Sequence, residues 1–199
     1  MDRRASVLGR FAFGLETHLV HVECHLAGGL PGTTIVGLAE GAVKEARDRV
    51  KSAIRNSGFA YPTSHITLNL APGHLSKTGT GFDLPIAIAI LAANGQIPKT
   101  ALVNTEFVGE LGLFGELRRA NNLLASAIDC HNVGHRLFLP QGNRVEVGLI
   151  RGGSFCAAAN LLQAVEMLCK GTQGEEAPLS ENEAKQTIDG NNFDDIIGQ

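Results

Sequence analysis

The chain has 199 residues, of which 44% are hydrophobic and 5% aromatic, with no tryptophan and a net charge of −3. This length suffices for one sizeable core, and a core built from Ala, Val, Ile and Leu is typical of helices layered on a sheet. The longest apolar stretch, residues 84–93, is about half of the roughly 20 residues that span a bilayer. Since no signal-peptide pattern opens the chain either, we expect a cytoplasmic protein without a membrane partner.

The small net charge conceals an uneven distribution. Residues 171–199 carry seven acidic side chains and one lysine, a net charge of −6, which leaves +3 on residues 1–170. The acidic stretch lacks hydrophobic periodicity and cannot bury enough apolar surface to fold alone. We therefore expect a folded domain over residues 1–170, an acidic flexible linker over 171–192 and the start of another ordered module over 193–199.

The first part of the chain is predicted to be rich in strands. Residues 5–13 and 18–26 alternate between apolar and polar side chains, and the short segment between them predicts an antiparallel pair. A third strand is expected over 34–38. The period then changes to that of a helix over residues 40–56, with Gly58 as the stop signal.

Helices and strands are mixed in the remainder of the chain. A helix beginning near Asp83 is apolar on all sides, which predicts that it is enclosed, and Asp83 is the expected cap. Glycines between apolar residues over 106–118 predict two strands joined by a tight turn near Phe114 and Gly115. The other expected elements are strands over 64–71 and 136–139 and helices over 122–133 and 154–169. This order predicts an α+β, or mixed α/β, fold with helices packed on a mixed sheet.

The cysteines and histidines do not indicate a metal site or a disulfide framework. The four cysteines include no C-x-x-C pair and are interpreted as small buried residues: Cys24, Cys130, Cys156 and Cys169. His21, Cys24 and His25 have ligand-like spacing, but strand alternation places both histidines on one face and the cysteine on the other. We expect no metal in this chain.

A phosphate-binding loop is suggested by Lys77 and Thr78, which follow a strand and a glycine. The motif G-x-x-x-x-G-K-[ST] requires glycines at 71 and 76, where this chain has Ala71 and Ser76. The helix also begins too late for its N-terminus to meet a phosphate. We expect no nucleotide cofactor here.

Catalytic signatures are equally scarce. No serine lies in a pattern such as G-x-S-x-G, which would place a nucleophile on a rigid turn. Glu106, Glu110 and Glu116 surround the glycine-rich strands, where a solvated or turn-capping role is expected. The predicted set of catalytic residues is therefore empty.

One face of the helix over 40–56 is basic. Arg47, Lys51 and Arg55 lie four residues apart on one stripe and could follow a nucleic-acid backbone. The alternative is a solvated face whose charges pair with acidic neighbours such as Glu45 and Asp48. Three other bases are candidates for the same contact: Lys77, Arg118 and Arg119.

Several motifs in order resemble one family. They are GLP at 29–31, IVGL at 35–38, VKEARDRV at 43–50, NSGF at 56–59, ITLNLAP at 66–72 and FDLPIA at 82–87. Together they are similar to the N-terminal domain of the ComM/YifB proteins, also called magnesium-chelatase-like, over residues 3–170. The segment 193–199 is similar to the lead-in to an AAA+ module.

This resemblance implies a fold like the proteolytic domain of Lon and a role as the front part of a larger motor. The implied parent is a hexameric AAA+ DNA helicase that promotes branch migration in natural transformation or recombination. The implied partners are the chain's own AAA+ module, which would use ATP and Mg²⁺, identical subunits, and single-stranded or branched DNA. A protein-docking or oligomerisation module without DNA contact is the alternative.

The resemblance to Lon also raises a serine–lysine protease or a degenerate relative of one, besides a chelatase subunit. Where the serine would lie we align Gly81 or a neighbour, Thr80 or Phe82, and where the lysine would lie we align Leu124. Glycine supplies no nucleophile and leucine no base, so the resemblance implies no peptidase activity. Residues 118–122 depart from the family pattern, which has Pro-Val and a glycine at that turn.

Overall fold

The computed structural model describes residues 3–13, 16–37, 40–73 and 81–171. Within them the strands are β1 (Arg4–Phe13), β2 (Glu16–Ala27), β3 (Gly32–Val36), β4 (His65–Ala71), β5 (Thr105–Phe107), β6 (Glu110–Leu111), β7 (Leu117–Arg118), β8 (Arg136–Pro140) and β9 (Ser154–Ala158). The α-helices are α1 (Glu40–Asn56), α2 (Asp83–Ala93), α3 (Leu123–Asn132), α4 (Arg144–Val147) and α5 (Leu161–Cys169). Short 3-10 helices cover Lys99–Leu102 and Gln141–Asn143.

Seven of these strands form one mixed sheet in the order β3-β4-β2-β1-β5-β8-β9. β2 pairs antiparallel with both β1 and β4, whereas β1–β5, β5–β8, β8–β9 and β3–β4 are parallel. β6 and β7 form a separate antiparallel hairpin. The expectation of helices packed on a mixed sheet is therefore confirmed.

The N-terminal hairpin forms where the alternating pattern predicts it. In β2 the buried residues are Val20, Val22, Cys24 and Leu26, and the residues between them, including His21 and His25, are exposed. Period-two alternation directs the first set into the core and the second toward solvent. The predicted separation of Cys24 from the two histidines is confirmed.

Helix α2 is buried along its whole length. It packs against β1, β2 and α1, which explains why a helix in this position is apolar on every side. The prediction that Asp83 caps α2 is wrong, because Phe82 precedes the helix and Asp83 is its first residue. The carboxylate of Asp83 instead accepts hydrogen bonds from Arg49 and from the backbone N–H of Leu111.

The segment over 154–169 is a strand followed by a helix, whereas the sequence predicted one helix. Residues of β9 pair in parallel register with β8, and Phe155, Cys156 and Ala158 are buried. A parallel strand buried on both faces is continuously apolar and cannot be distinguished from a buried helix by periodicity alone. Asn160 separates the two elements, because its Oδ1 accepts a hydrogen bond from the N–H of Gln163 and caps α5.

Two further expectations concern the cysteines and the C-terminal segment. Cys24, Cys130 and Cys156 are buried free thiols, but Cys169 is exposed at the end of α5, so its predicted burial is wrong. The expected linker over 171–192 and the expected module start over 193–199 lie outside the described residues, apart from Gly171. In the part of the chain that is described, no helix combines the length and the hydropathy needed to cross a bilayer.

Candidate nucleic-acid interface and cleft

Three basic residues of α1 gather beside one tyrosine. The Nζ of Lys51 lies 5.9 Å from the centroid of the Tyr61 ring, and the Cζ of Arg55 lies 5.7 Å from it. Arg47 belongs to the same stripe, because residues four apart lie on one face of a helix. We call Arg47, Lys51 and Arg55 the basic cluster.

Tyr61 connects the basic cluster to the edge of the sheet. Its hydroxyl forms a hydrogen bond of 3.1 Å with Oγ1 of Thr33 in β3, which is the edge strand. Burial raises the pKa of Tyr61, against the opposing effect of the Thr33 hydrogen bond. The ring therefore stays neutral at physiological pH and attracts both cations through its π face.

Charges in the basic cluster are only partly compensated. The Nε of Arg47 donates to Oδ1 of its neighbour Asp48 at 3.1 Å. Lys51 and Arg55 are exposed, and no acidic side chain among the described residues forms an ion pair with either of them. This pair of cations is the part of the cluster available to an external anion.

Two of the other predicted contact residues, Arg118 and Arg119, lie apart from the basic cluster. Arg118 lies on the β6–β7 hairpin, where it pairs with Glu110 at 3.1 Å and Glu116 at 3.5 Å. Arg119 lines a separate cleft. Lys77 lies outside the described residues. Of the five predicted contact residues that the structure describes, it thus brings three together.

The cleft has a volume of about 270 Å³. Its apolar part includes Phe11 and Phe82, whose ring centroids are 3.7 Å apart, and Val108. Its polar lining consists of Arg10, Glu110, Arg119, Asn121, Asn122 and Ser126. The elements that bring these groups together are β1, the start of α2, the β6–β7 hairpin region and the start of α3.

Of the two positions aligned with a serine–lysine dyad, the structure brings only Gly81 to the cleft. A Cβ at Gly81 would lie 3.3 Å from the Phe11 ring, so even a small side chain would press on it. Leu123 lines the cleft, whereas Leu124 does not, and the N–H of Leu124 donates to Oε1 of Glu146. Among the described lining residues there is a serine, Ser126, but no lysine or histidine that could act as its base.

A buried charge network lies beside the cleft, and the sequence did not predict it. Glu106 is fully buried and accepts hydrogen bonds from Nε and Nη2 of Arg10 at 2.7 and 3.0 Å. Its Oε1 also contacts Nδ1 of His135 at 2.8 Å. The expected solvated role of Glu106 is therefore wrong. The sequence does contain a signal for this pair, because Arg10 and Glu106 each lie beside an apolar side chain within a strand. Charged residues are buried at such positions only when they are paired.

Arg10 is the member of this network that lines the cleft. Its surroundings favour the charged form of its guanidinium. The hydrogen bond to Glu106 raises the pKa of the Arg10 guanidinium, despite partial burial. Arg10 is therefore a permanent cation in the cleft wall. Its charge is neutralised by Glu106, and this ion pair joins β1 to β5.

The described residues contain no group of three or more His, Cys, Asp or Glu side chains arranged to hold a metal ion. His21 and His25 are exposed on β2, and Cys24 is buried on its other face. The geometry of the described part therefore offers binding surfaces, the basic cluster and the cleft, and no assembled catalytic group.

Comparison with known proteins places the chain in a family. The family model described as subunit ChlI of Mg-chelatase matches residues 22–143. The chain is 44% identical to YifB of Escherichia coli over 190 residues, which is 96% of this chain and 37% of that protein. It is 40% identical to the competence protein ComM of Haemophilus influenzae over 201 residues, which is 98% of this chain and 39% of that protein.

A third relative, YifB of Salmonella typhimurium, is 43% identical over 195 residues, covering 98% of this chain and 38% of that protein. The chain thus spans less than two fifths of the length of these curated relatives. The family model covers well over half of the chain, including β4, α1, α2 and the cleft residues from 81 to 126. The chain belongs to the magnesium-chelatase-like family that includes YifB and ComM.

Proposed function

We propose that this chain is the non-catalytic front part of an ATP-driven DNA motor and that its basic cluster contacts the phosphate backbone. The observation that carries the proposal is the convergence of Lys51 and Arg55 on one neutral tyrosine at the sheet edge. Two exposed cations without acidic partners among the described residues form a surface that suits the regularly spaced phosphates of a nucleic-acid backbone. Binding through it would be weak and independent of sequence.

The parent protein in this proposal is a hexameric AAA+ helicase that acts on single-stranded or branched DNA in natural transformation or recombination. ATP and Mg²⁺ would be used by its AAA+ module, and identical subunits would form the ring. The name of the Haemophilus influenzae relative, competence protein ComM, supports a connection with DNA uptake. The family's relation to Mg-chelatase subunits supports an ATPase in the longer relatives.

The experiment is a titration of fluorescently labelled DNA at several salt concentrations, with single strands, duplexes and branched junctions. For the wild type we expect binding that weakens steeply with salt, because each phosphate contact releases counterions. The double variant Lys51→Gln, Arg55→Gln should lower the slope of log K against log salt by about 2, about 1 per contact.

A charge-matched control is Arg151→Gln, Lys170→Gln, since both residues are exposed and neither belongs to α1. Its salt slope should stay near the wild-type value, because the two removed charges do not belong to the basic cluster. If both double variants change the slope by the same amount, the basic cluster has no special role. If the wild type does not bind DNA, the proposal of DNA contact fails.

A docking or oligomerisation module is the second candidate, and one observation favours it. Leu113 and Phe114 at the tip of the β6–β7 hairpin are 50% and 79% exposed. The tip is held in place, because Nδ2 of Asn56 donates to the carbonyl of Leu113 at 2.7 Å. A rigid apolar tip is typical of a protein contact. Light scattering of the wild type and of Phe114→Ser would show whether copies of this chain associate through it.

A protease or a metal chelatase is the least supported reading. Gly81 supplies no nucleophile in the cleft, and the described residues provide no cluster of metal ligands. We propose that the cleft is not a peptidase site in this protein.

A further inference from the structure

The hydroxyl of one serine opens onto the cleft without a hydrogen-bond partner among the described residues. Ser126, on the first turns of α3, is 2% exposed and is one of the lining residues. No hydrogen bond joins its hydroxyl to another side chain or carbonyl in the described part of the chain. Nε of Arg136 is the only buried side-chain polar atom without a partner in the described residues, so the Ser126 hydroxyl is reached by solvent from the cleft. A hydroxyl in this position can donate to a bound anion.

The charges in the lining leave a positive surplus. Arg10 is neutralised by Glu106 at 2.7 Å, and Glu110 by Arg118 at 3.1 Å. Arg119 is exposed at the cleft and forms no ion pair with an acidic side chain among the described residues. A guanidinium and a hydroxyl that line the same cleft favour an anionic oxygen, because both groups can donate hydrogen bonds to it.

Asn122 adds a further hydrogen-bonding group in an uncommon conformation. Its φ and ψ are 57° and 34°, in the left-handed region, and its side chain does not cap α3. Leu124 already donates its N–H to Glu146, so the start of the helix is satisfied without the Asn122 amide. Left-handed residues other than glycine cluster at ligand sites, where the surrounding structure compensates their strain.

The volume of about 270 Å³ is slightly below that of sites for drug-sized ligands and suits a small molecule. Phe11 and Val108 provide an apolar wall opposite the polar groups. We infer that this cleft binds a small oxyanion, a free phosphate or a small carboxylate, through Arg119, Ser126 and Asn122. This site is separate from the basic cluster and does not depend on the proposed contact with DNA.

The test follows the thermal midpoint of the whole chain in increasing inorganic phosphate and, separately, in increasing acetate, at constant ionic strength maintained with chloride. A ligand that binds only the native state raises the midpoint by mass action. We expect a rise with one of the anions and at least a tenfold weaker apparent affinity in Arg119→Gln, since a charge-assisted hydrogen bond is lost. A rise with phosphate alone would assign a phosphate ligand, and a rise with acetate alone a carboxylate.

Three variants make the result decisive. Ser126→Ala should also weaken binding, whereas Arg151→Gln, which removes an exposed charge that does not line the cleft, should leave it unchanged. Amide chemical shifts provide a second readout in the native protein. The resonances of the Asn122 side-chain amide should shift as the anion is added. The inference is overturned if neither anion shifts the midpoint or Asn122, or if Arg119→Gln binds as the wild type does. It is also overturned if the effect disappears only in Lys51→Gln, Arg55→Gln, because the anion would then occupy the basic cluster.

Discussion

Arg49 holds the carboxylate of Asp83 across the contact between α1 and α2, with Nε–Oδ2 and Nη2–Oδ1 distances of 2.8 and 3.2 Å. Asp83 is fully buried, whereas the side chain of Arg49 is 18% exposed. Burial raises the pKa of Asp83 from 3.8 to about 6, and the Arg49 hydrogen bonds oppose this rise. Desolvation of the carboxylate therefore exceeds the stabilisation that its partner provides.

The sign of this shift predicts the pH dependence of stability. A carboxyl with a higher pKa in the folded state contributes stability below 3.8, and this contribution is lost as pH rises to about 6. In Asp83→Asn that loss should be absent, so the free energy of unfolding should rise more steeply from pH 4 to 6 than in the wild type. Urea unfolding at several pH values measures it. Parallel pH profiles for the two proteins would contradict the assignment.

Glu106→Gln should be strongly destabilising. It leaves the guanidinium of Arg10, which is 8% exposed, without its counterion. Removing one partner of a buried pair costs about 3–5 kcal/mol in the free energy of unfolding. The surface variant Arg118→Gln is the control and should cost less than about 1 kcal/mol, since exposed pairs contribute little. Equal losses in chemical denaturation would show that Glu106 is not paired as described.

Gly115→Ala tests the turn of the β6–β7 hairpin. Gly115 has φ +89°, and an added Cβ would lie 2.3 Å from Oγ of Ser57. We expect a loss larger than in Gly58→Ala, where φ is +83° but nothing lies within 4 Å of the added atom. Adding Ser57→Ala should restore part of the stability, because it removes the clash and leaves the backbone strain. Additive losses in the double variant would rule out the predicted contact.

The variant Tyr61→Leu tests whether DNA binding depends on the positions of the two cations as well as on their number. Removing the ring leaves both charges of Lys51 and Arg55 in place but removes the surface over which they lie. If the basic cluster binds DNA, the affinity should fall while the salt slope stays near the wild-type value. Tyr61→Phe keeps the π face and is the matched control. An unchanged affinity in the leucine variant would mean that Tyr61 does not position the cations.

No peptidase activity is expected from this chain. Casein should remain intact after long incubation, because Gly81 offers no nucleophile and Leu124 lies outside the cleft. The variant Gly81→Ser, Leu124→Lys should also be inactive, since the new lysine would start from a position that does not line the cleft. Turnover by the wild type that disappears in Ser126→Ala would identify the cleft serine as a nucleophile and defeat this prediction.

Local sequence patterns predicted those helices and strands in which buried and exposed residues alternate with a single clear period. α1 was expected over 40–56 and occupies Glu40–Asn56, and the β1–β2 hairpin follows from alternation. β9 was mistaken for helix because a strand buried on both faces has no period of its own. α4 was not predicted at all, since four residues carry too little periodicity to recognise.

In the candidate sites, too, features that follow from local spacing could be predicted from the sequence, and features that depend on tertiary packing could not. The stripe of Arg47, Lys51 and Arg55 follows from helical spacing. The contact of Lys51 and Arg55 with Tyr61 depends instead on where the segment after α1 places the tyrosine ring. The union of Arg10 with Glu106 joins residues 96 positions apart and depends on strand order, which no local pattern specifies. Arg118 and Arg119 are neighbours in sequence, yet one pairs on a hairpin and the other faces the cleft.

The central position of β1 has a consequence for the nascent chain. One edge of β1 pairs at once with β2, but the other edge waits for β5, whose Glu106 follows Leu8 by 98 positions. At 5–20 residues per second, that edge stays open for roughly 5 to 20 seconds during translation. An open strand edge is a template for pairing with other chains. Fragments that end before Thr105 should therefore collect in inclusion bodies, and ribosome-bound chains of that length should recruit chaperones.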